Sequence, residues 1–387
     1  MIPLHEPKFD ERDEILILET LRTGWVSSGG KFVDQFERNF AEYVGAKFAV
    51  STSSGTVAIQ LMLETLKKLK GINSSFEVIV PDLSFIATAN AVIHAGGRPV
   101  FLDSGIGSLN IDGKSLERFL LKNYKFSEDT GYVSKLSSLK LLCVLPAHIM
   151  GWAGDIENIH EVCEQSGLVL LEDAAEASGS RLLNGKHVGL HGLASVFSFN
   201  GNKILSTGGG GMIVTDDENF AALAKHLSTT AKTDDLRSVH DMIGFNFRMV
   251  NILAALGISQ LSYLDKRLIE KRKIRDNYHS YLEDVKDVHL YSEELTVSNN
   301  WLVNIVLENN RQMEKVLKNL NSNNIGARPL WQPFHLQPAF SSYEQPETKW
   351  PNSVNIWNRT LSLPSSPHLP EETVKMISKI VIDSLVL

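Results

Sequence analysis

Apolar runs of strand length alternate with helical patterns through the first 250 residues. "KFAVST" (47–52) reads as a strand, and residues 55–69 read as a helix with Val57, Leu61 and Thr65 on one face beside Ala58 and Met62. "EVIVP" (77–81) leads into a helix through 84–95, and "RPVFLD" (98–103) is the next strand. "KLLCVLPA" (140–147) precedes a helix over 155–166, followed by "GLVLLED" (167–173), "ASVFSF" (194–199) and the strand-like "MIVTD" (212–216). These runs are continuously apolar rather than alternating, as strands are when helices cover both faces of their sheet. The order predicts an α/β fold around a mainly parallel central sheet.

The pattern changes near residue 250. Residues 251–284 read as a long helical stretch, first small and apolar ("NILAALGISQLSYL"), then charged ("DKRLIEKRKIRDNY"). The charge run reads as a solvated helix face. "WLVNIVLE" (301–308) and a helix over 310–322 then predict a smaller C-terminal α+β domain. The expected division is a large α/β domain over 1–255 and a small domain over 256–387.

Composition narrows the function. The 387 residues are 43% hydrophobic and 21% charged, with a net charge of −7, ordinary for a soluble globular protein. No basic block of the kind that tracks a phosphate backbone is present, so no nucleic-acid partner is expected. No run approaches the ~20 apolar residues of a membrane span, and the N-terminus lacks a basic-then-apolar leader. Cys143 and Cys163 lack metal-type spacing, so no metal site is expected, and free thiols fit a cytoplasmic location.

Two residues then stand out. Asp173 ends "LVLLED", and ligands of open α/β sheets bind beyond the carboxyl ends of strands. On position alone it is as readily a helix N-cap. Lys203, thirty residues on, follows the next strand-like run and precedes four glycines, 208–211. A phosphate loop of the Walker type places its glycines before the lysine, so that reading is excluded. An acid and an amine on neighbouring strand ends suit pyridoxal phosphate (PLP). The amine forms a Schiff base with the aldehyde, and the acid pairs with the pyridinium nitrogen. "STSSGTVAI" (51–59) turns from strand into helix with Gly55 at the turn, where helix amides meet an anion. Ser198 is a nearby hydroxyl. Phe85, at the start of the helix 84–95, reads alone as core packing or as a ring that stacks on a flat cofactor. The four glycines are expected to let the backbone pass close to the cofactor and return to the sheet.

Together, "GWVSSGGKFVDQFERNFAEYVGAKFAVSTSSGTVAI", "VIVPDLSFIATANAVIHAGGRPVFLD", "VLPAHIMGWAGDIENI", "LLEDAAEASGS", "SVFSFNGNKILSTGGGGMIVTDD" and "GFNFRMVNILAALGISQL" resemble the DegT/DnrJ/StrS family of PLP-dependent nucleotide-sugar aminotransferases, fold type I of the PLP enzymes. The resemblance implies that Lys203 holds the cofactor and shuttles the proton, and that Asp173 pairs with the pyridinium. It places Glu176 beside the ring hydroxyl, Phe85 on the ring, and Gly55, Thr56 and Ser198 at the phosphate. Asn246 would reach the phosphate of the other subunit's cofactor, making a homodimer part of the site. A histidine in place of Lys203 would mark the related sugar dehydratases, so the lysine favours transamination.

"MIPLHEPKF", "TGWVSSGGKFVDQFE" and "RPLWQPFHLQPAF" resemble more closely the LegC-like branch, which aminates carbon 4 of UDP-linked 4-keto-6-deoxy-N-acetylhexosamines with glutamate as donor. GDP- or dTDP-linked 4-keto-6-deoxyhexoses and 3-amination are the alternatives within the family. By the same analogy His148, Arg328 and His335 are expected near the sugar or its diphosphate, against the plainer reading of surface or satisfied polar residues. Outside the aminotransferases, a PLP lyase, dehydratase or epimerase, a non-catalytic PLP-fold regulator and a plain nucleotide-binding protein remain as rivals. The last lacks a G-x-G-x-x-G after its first strand.

Overall fold

The computed structural model describes residues 1–234 and 236–386. A nine-stranded sheet lies at its centre. The path through it runs Phe48–Thr52, Gly211–Thr215, Ala194–Ser198, Val169–Asp173, Lys140–Val144, Phe76–Pro81, Arg98–Leu102. Parallel pairing joins the strands from Ala194–Ser198 to Arg98–Leu102. Gly211–Thr215 runs against both of its neighbours. Its connection from Ser198 contains no helix to carry the chain back across a sheet face, as a parallel crossover requires.

Strand residues alternate between two cores. Ile79 and Val144 face one, Val78, Val80 and Cys143 the other. Both faces are therefore covered, which explains why the strands read as unbroken apolar runs. The helix expected at 55–69 is Gly55–Leu69, with Ser54 Oγ accepting the Val57 amide at 3.2 Å. Cys143 and Cys163 are free and buried, and burial pushes the Cys163 thiol up to about 12.

The long helical stretch breaks at Tyr263 into Asn251–Ser262 and Leu264–Leu282. The expected division at 255/256 thus falls inside a helix, whose Ala254, Ala255, Ile258 and Leu261 belong to the core of the large sheet. A separate core starts only at Ile274. It joins the ends of that second helix to Asn310–Ser322, Glu371–Val386 and an antiparallel sheet ordered Val288–Leu290, Val303–Leu307, Thr360–Leu363, Arg328–Pro329. Among the described residues no helix is long and apolar enough to cross a membrane.

Register decides what meets at the sheet edge. Thr52 pairs with Gly211, which pairs with Ser198, and Asp173 lies opposite Val196. The ends of three strands and the start of a fourth therefore share one edge.

Candidate active site

At that edge a cavity of about 550 Å³ opens between the large sheet and the small one. Asp173 and Lys203 both line it. Asp173 is 6% exposed. Its Oδ2 accepts the Thr88 hydroxyl at 2.7 Å and its Oδ1 the Ala175 amide at 3.2 Å. Burial nevertheless raises its pKa above the usual carboxylate range, with Thr88, Ala175 and Lys203 opposing. Lys203 pairs with Glu176 instead, so neither of those hydrogen-bond partners of the Asp173 carboxylate is a cation.

Lys203 sits in the turn after Ala194–Ser198, its amide donating to Asn200 O at 2.9 Å. Its Nζ donates to Glu176 Oε1 at 3.0 Å and lies 3.9 Å from the centre of the Trp301 ring. Glu176 Oε2 accepts the Met150 amide at 2.9 Å, which fixes the carboxylate from its other side. Burial raises the Glu176 pKa, and the Lys203 charge works against that rise. The amine is thus held between a carboxylate and an aromatic face.

Gly55 and Ser198 form the opposite corner. A Cβ on Gly55 would stand 2.9 Å from Ser198 Cβ, so only glycine allows the helix start to approach the strand end. The opening amides of Gly55–Leu69 face this corner with the positive end of the helix dipole. Ser54, Gly55, Thr56 and Ser198 all line the cavity. Of the glycines after Lys203, two approach other parts of the chain closely. Gly210 has φ 135, and a Cβ there would stand 2.3 Å from Met249 Cε. At Gly211 a Cβ would stand 2.6 Å from Ser54 O. At Gly211 the clearance is against the Ser54–Gly55 turn, so this glycine shapes the anion corner, while Gly210 makes room for Met249.

The model of the DegT/DnrJ/EryC1/StrS aminotransferase family matches residues 7–382. The chain belongs to that family. It is a PLP-dependent nucleotide-sugar aminotransferase. The chain is 35% identical to the GDP-perosamine synthase of Vibrio cholerae, over 97% of both chains. To that of Escherichia coli O157:H7 it is 34% identical, over 96% of this chain and 95% of the relative. The aminotransferase TlmJ from Streptoalloteichus hindustanus superposes with a TM-score of 0.88 at 26% identity, over 100% of this chain and 99% of that one. These relatives do not single out the LegC-like branch. Two of them are named for a GDP-linked sugar and none of the three for a UDP-linked N-acetylhexosamine.

The family's cofactor suits the residues present. The anion corner at Gly55, a buried carboxylate bonded to neutral partners and a lysine in one cavity match the phosphate, pyridinium and aldehyde of PLP. The plainer reading of Phe85 as core fails: it is 50% exposed and lines the aminotransferase cavity, its ring 6.0 Å from that of Trp331.

Of the residues expected near the sugar, Arg328 and His148 line the cavity. His148 is buried, with Nε2 2.8 Å from Glu172 Oε2. His335 is not part of the cavity wall. Its Nδ1 lies 2.7 Å from Asp82 Oδ2 and its ring stacks on Trp350 at 4.5 Å, so it secures the 333–337 turn to the sheet edge. Asn246 is exposed and lies outside its own chain's cavity. Sequence reasoning missed Thr88, Trp301 and His5, all on the cavity wall. Thr88 had one faint signal, a hydroxyl three residues beyond Phe85 in the helix expected over 84–95. Trp301 and His5 had none, because they arrive from elements remote in sequence.

Proposed function

We propose that this aminotransferase converts a GDP-linked 4-keto-6-deoxyhexose to the 4-amino sugar, with glutamate as donor and 2-oxoglutarate as by-product. The observation that carries this reading is kinship over nearly the whole chain to two proteins named GDP-perosamine synthases. A second reading, a UDP-linked N-acetylhexosamine, rests on the N-terminal and 328–340 blocks. The test is incubation with GDP-, UDP- and dTDP-4-keto-6-deoxy sugars and glutamate, read by mass spectrometry. Expected is a kcat/KM at least about tenfold higher for the GDP sugar, worth about 1.4 kcal/mol of discrimination. A preference for the UDP sugar refutes the proposal in favour of the second reading.

PLP bound here supplies an aldehyde for amines and a sink for the electrons released at the reacting carbon. The chain supplies the rest. Lys203 Nζ, released from its covalent role, takes the proton from glutamate Cα and later delivers one to sugar C4. Asp173 holds negative charge where a ring cation needs it. Glu176 and Trp301 give the freed ammonium a resting place, so that it stays within reach. The corner at Gly55, Thr56 and Ser198 holds the phosphate, and Phe85 stacks on the ring. Two half-reactions at one site give ping-pong kinetics.

Asn246 acts in the other subunit's site. Exposed apolar side chains stand just before it at Ile243 and on the Trp25–Val26 turn, where Trp25 is 61% exposed. The Ile252 and Asn251 amides bond Val26 O and Ser27 O, which ties the Trp25–Val26 turn to the segment carrying Asn246. A second copy of the chain would cover these side chains. Lys203→Ala and Asn246→Ala proteins, each inactive, are therefore expected to regain about a quarter of wild-type activity when mixed, since half the dimers then hold one intact site. No recovery, with subunit exchange verified by native mass spectrometry, refutes the shared site.

A further inference from the structure

The N-terminus is a strap laced into the small sheet. Ile2 donates to Asn324 O at 2.8 Å and accepts from the Gly326 amide at 2.7 Å. Leu4 O accepts the Ser365 amide at 2.9 Å, and the Glu6 amide donates to Ser366 Oγ at 3.0 Å. A Cβ on Gly326 would stand 3.0 Å from Ile2 O, so this glycine lets the strap lie flat. Bonded on both sides, the strap presents His5 to the cavity, whose wall it helps to form.

Both ring nitrogens of His5 are buried, and neither has a hydrogen-bond partner among the described residues. No other described side chain leaves two such atoms. Buried polar groups are normally paired, and an unpaired donor and acceptor on one ring, at a substrate cavity, point to a missing ligand. Burial, reinforced by the charges of Lys271, His368, Lys203 and Arg267, pushes the His5 pKa well below the ordinary imidazole value. A neutral imidazole offers one donor and one acceptor.

The layout of the cavity says which ligand. The corner at Gly55, Asp173 and Lys203 belong to the large sheet's edge, whereas His5 and Arg328 stand on the wall built by the strap and the small sheet. Carboxylates and phosphates only accept hydrogen bonds, and Arg328 suits them. A hydroxyl both donates and accepts, so it matches a neutral imidazole.

We propose that His5 is a substrate-binding residue that hydrogen-bonds hydroxyl groups of the hexose ring and so selects the sugar half of the substrate, not glutamate and not the nucleotide. This rests on the sugar-aminotransferase reading. His5→Phe keeps the ring's bulk and removes both nitrogens, and His5→Gln restores a donor and an acceptor. The holoenzymes are assayed in the two half-reactions separately. Binding of GDP alone is measured by calorimetry, and thermal unfolding is followed in parallel.

Expected for His5→Phe is a rise of about tenfold in KM for the keto sugar. The glutamate half-reaction and GDP binding should stay within about twofold. The thermal midpoint should be equal or higher, because no bond made in the free protein is lost. His5→Gln should recover most of the loss. An unchanged sugar KM, equal losses in both half-reactions, a lowered midpoint or misfolding in His5→Phe, or no recovery in His5→Gln overturns the proposal. The wild type's choice of nucleotide is read first. If it rejects the GDP sugar, only the substrate reading falls, and the variants are compared on whichever keto sugar it accepts.

Discussion

Lys203→Ala is expected to slow transamination by on the order of 10⁴-fold or more and to lose the absorbance band of the lysine-linked cofactor. One amine serves as both covalent anchor and proton carrier, and among the described residues no other lysine lines the cavity. Water therefore has to replace a base held 3.0 Å from Glu176 and against the Trp301 face. Lys203→Arg is the control. It keeps a cation between those two groups but does not deprotonate near neutral pH, so it is expected to be equally inactive. The side chain of Lys203 is 12% exposed and belongs to no core cluster, so both variants should keep the wild-type unfolding midpoint. A band that persists in Lys203→Ala, or turnover within about a hundredfold of wild type, refutes the assigned role.

Asp173→Asn is the second large effect. The amide keeps the size of the carboxyl; with its oxygen toward the Ala175 amide, its NH2 can donate to Thr88 Oγ1, now 2.7 Å from Oδ2, but it carries no charge. Preorganised charge at a developing electron sink is worth about 10²–10³ in kcat, and that loss is expected. Stability should move the other way. Burial already raises the pKa of Asp173 despite the opposing charge of Lys203. Removing the charge therefore leaves the cofactor-free protein at least as stable as wild type, while the cofactor-loaded protein loses stabilisation. Calorimetric melts with and without PLP read this difference. A variant within tenfold of wild-type kcat, or a cofactor-free form that melts markedly lower, refutes the pairing.

Much of the fold was legible because its strands are apolar on both faces. Ile79 and Val78 point into different cores, so both had to be hydrophobic, and the run shows in the sequence. The helix at Gly55–Leu69 was legible to the residue, because Ser54 caps it and Gly55 opens it. The second core was less so. The long stretch after Asn251 has one helical pattern, yet packing divides it at Tyr263, and its first half joins the large sheet. Propensity reports that a segment is helical, not which layer it joins.

The candidate site divides in the same way. Asp173, Ser198 and Gly55 were found because each lies at or just past the end of a strand, and a parallel sheet gathers those ends at one edge. The sequence by itself therefore determined the α/β class, the acid and the amine, and the family, since all of these are local patterns or ordered blocks. Only the tertiary structure decided what surrounds them. Thr88 reaches Asp173 across 85 residues, Trp301 comes to Lys203 across 98 residues, and the strap carrying His5 is fixed to residues beyond 320. The same holds for His335, which pairs with Asp82 across 253 residues and stays out of the cavity. Such contacts leave no periodicity in the chain. They are set by sheet register and by the docking of the small sheet on the large one, which fix distances that sequence spacing does not contain.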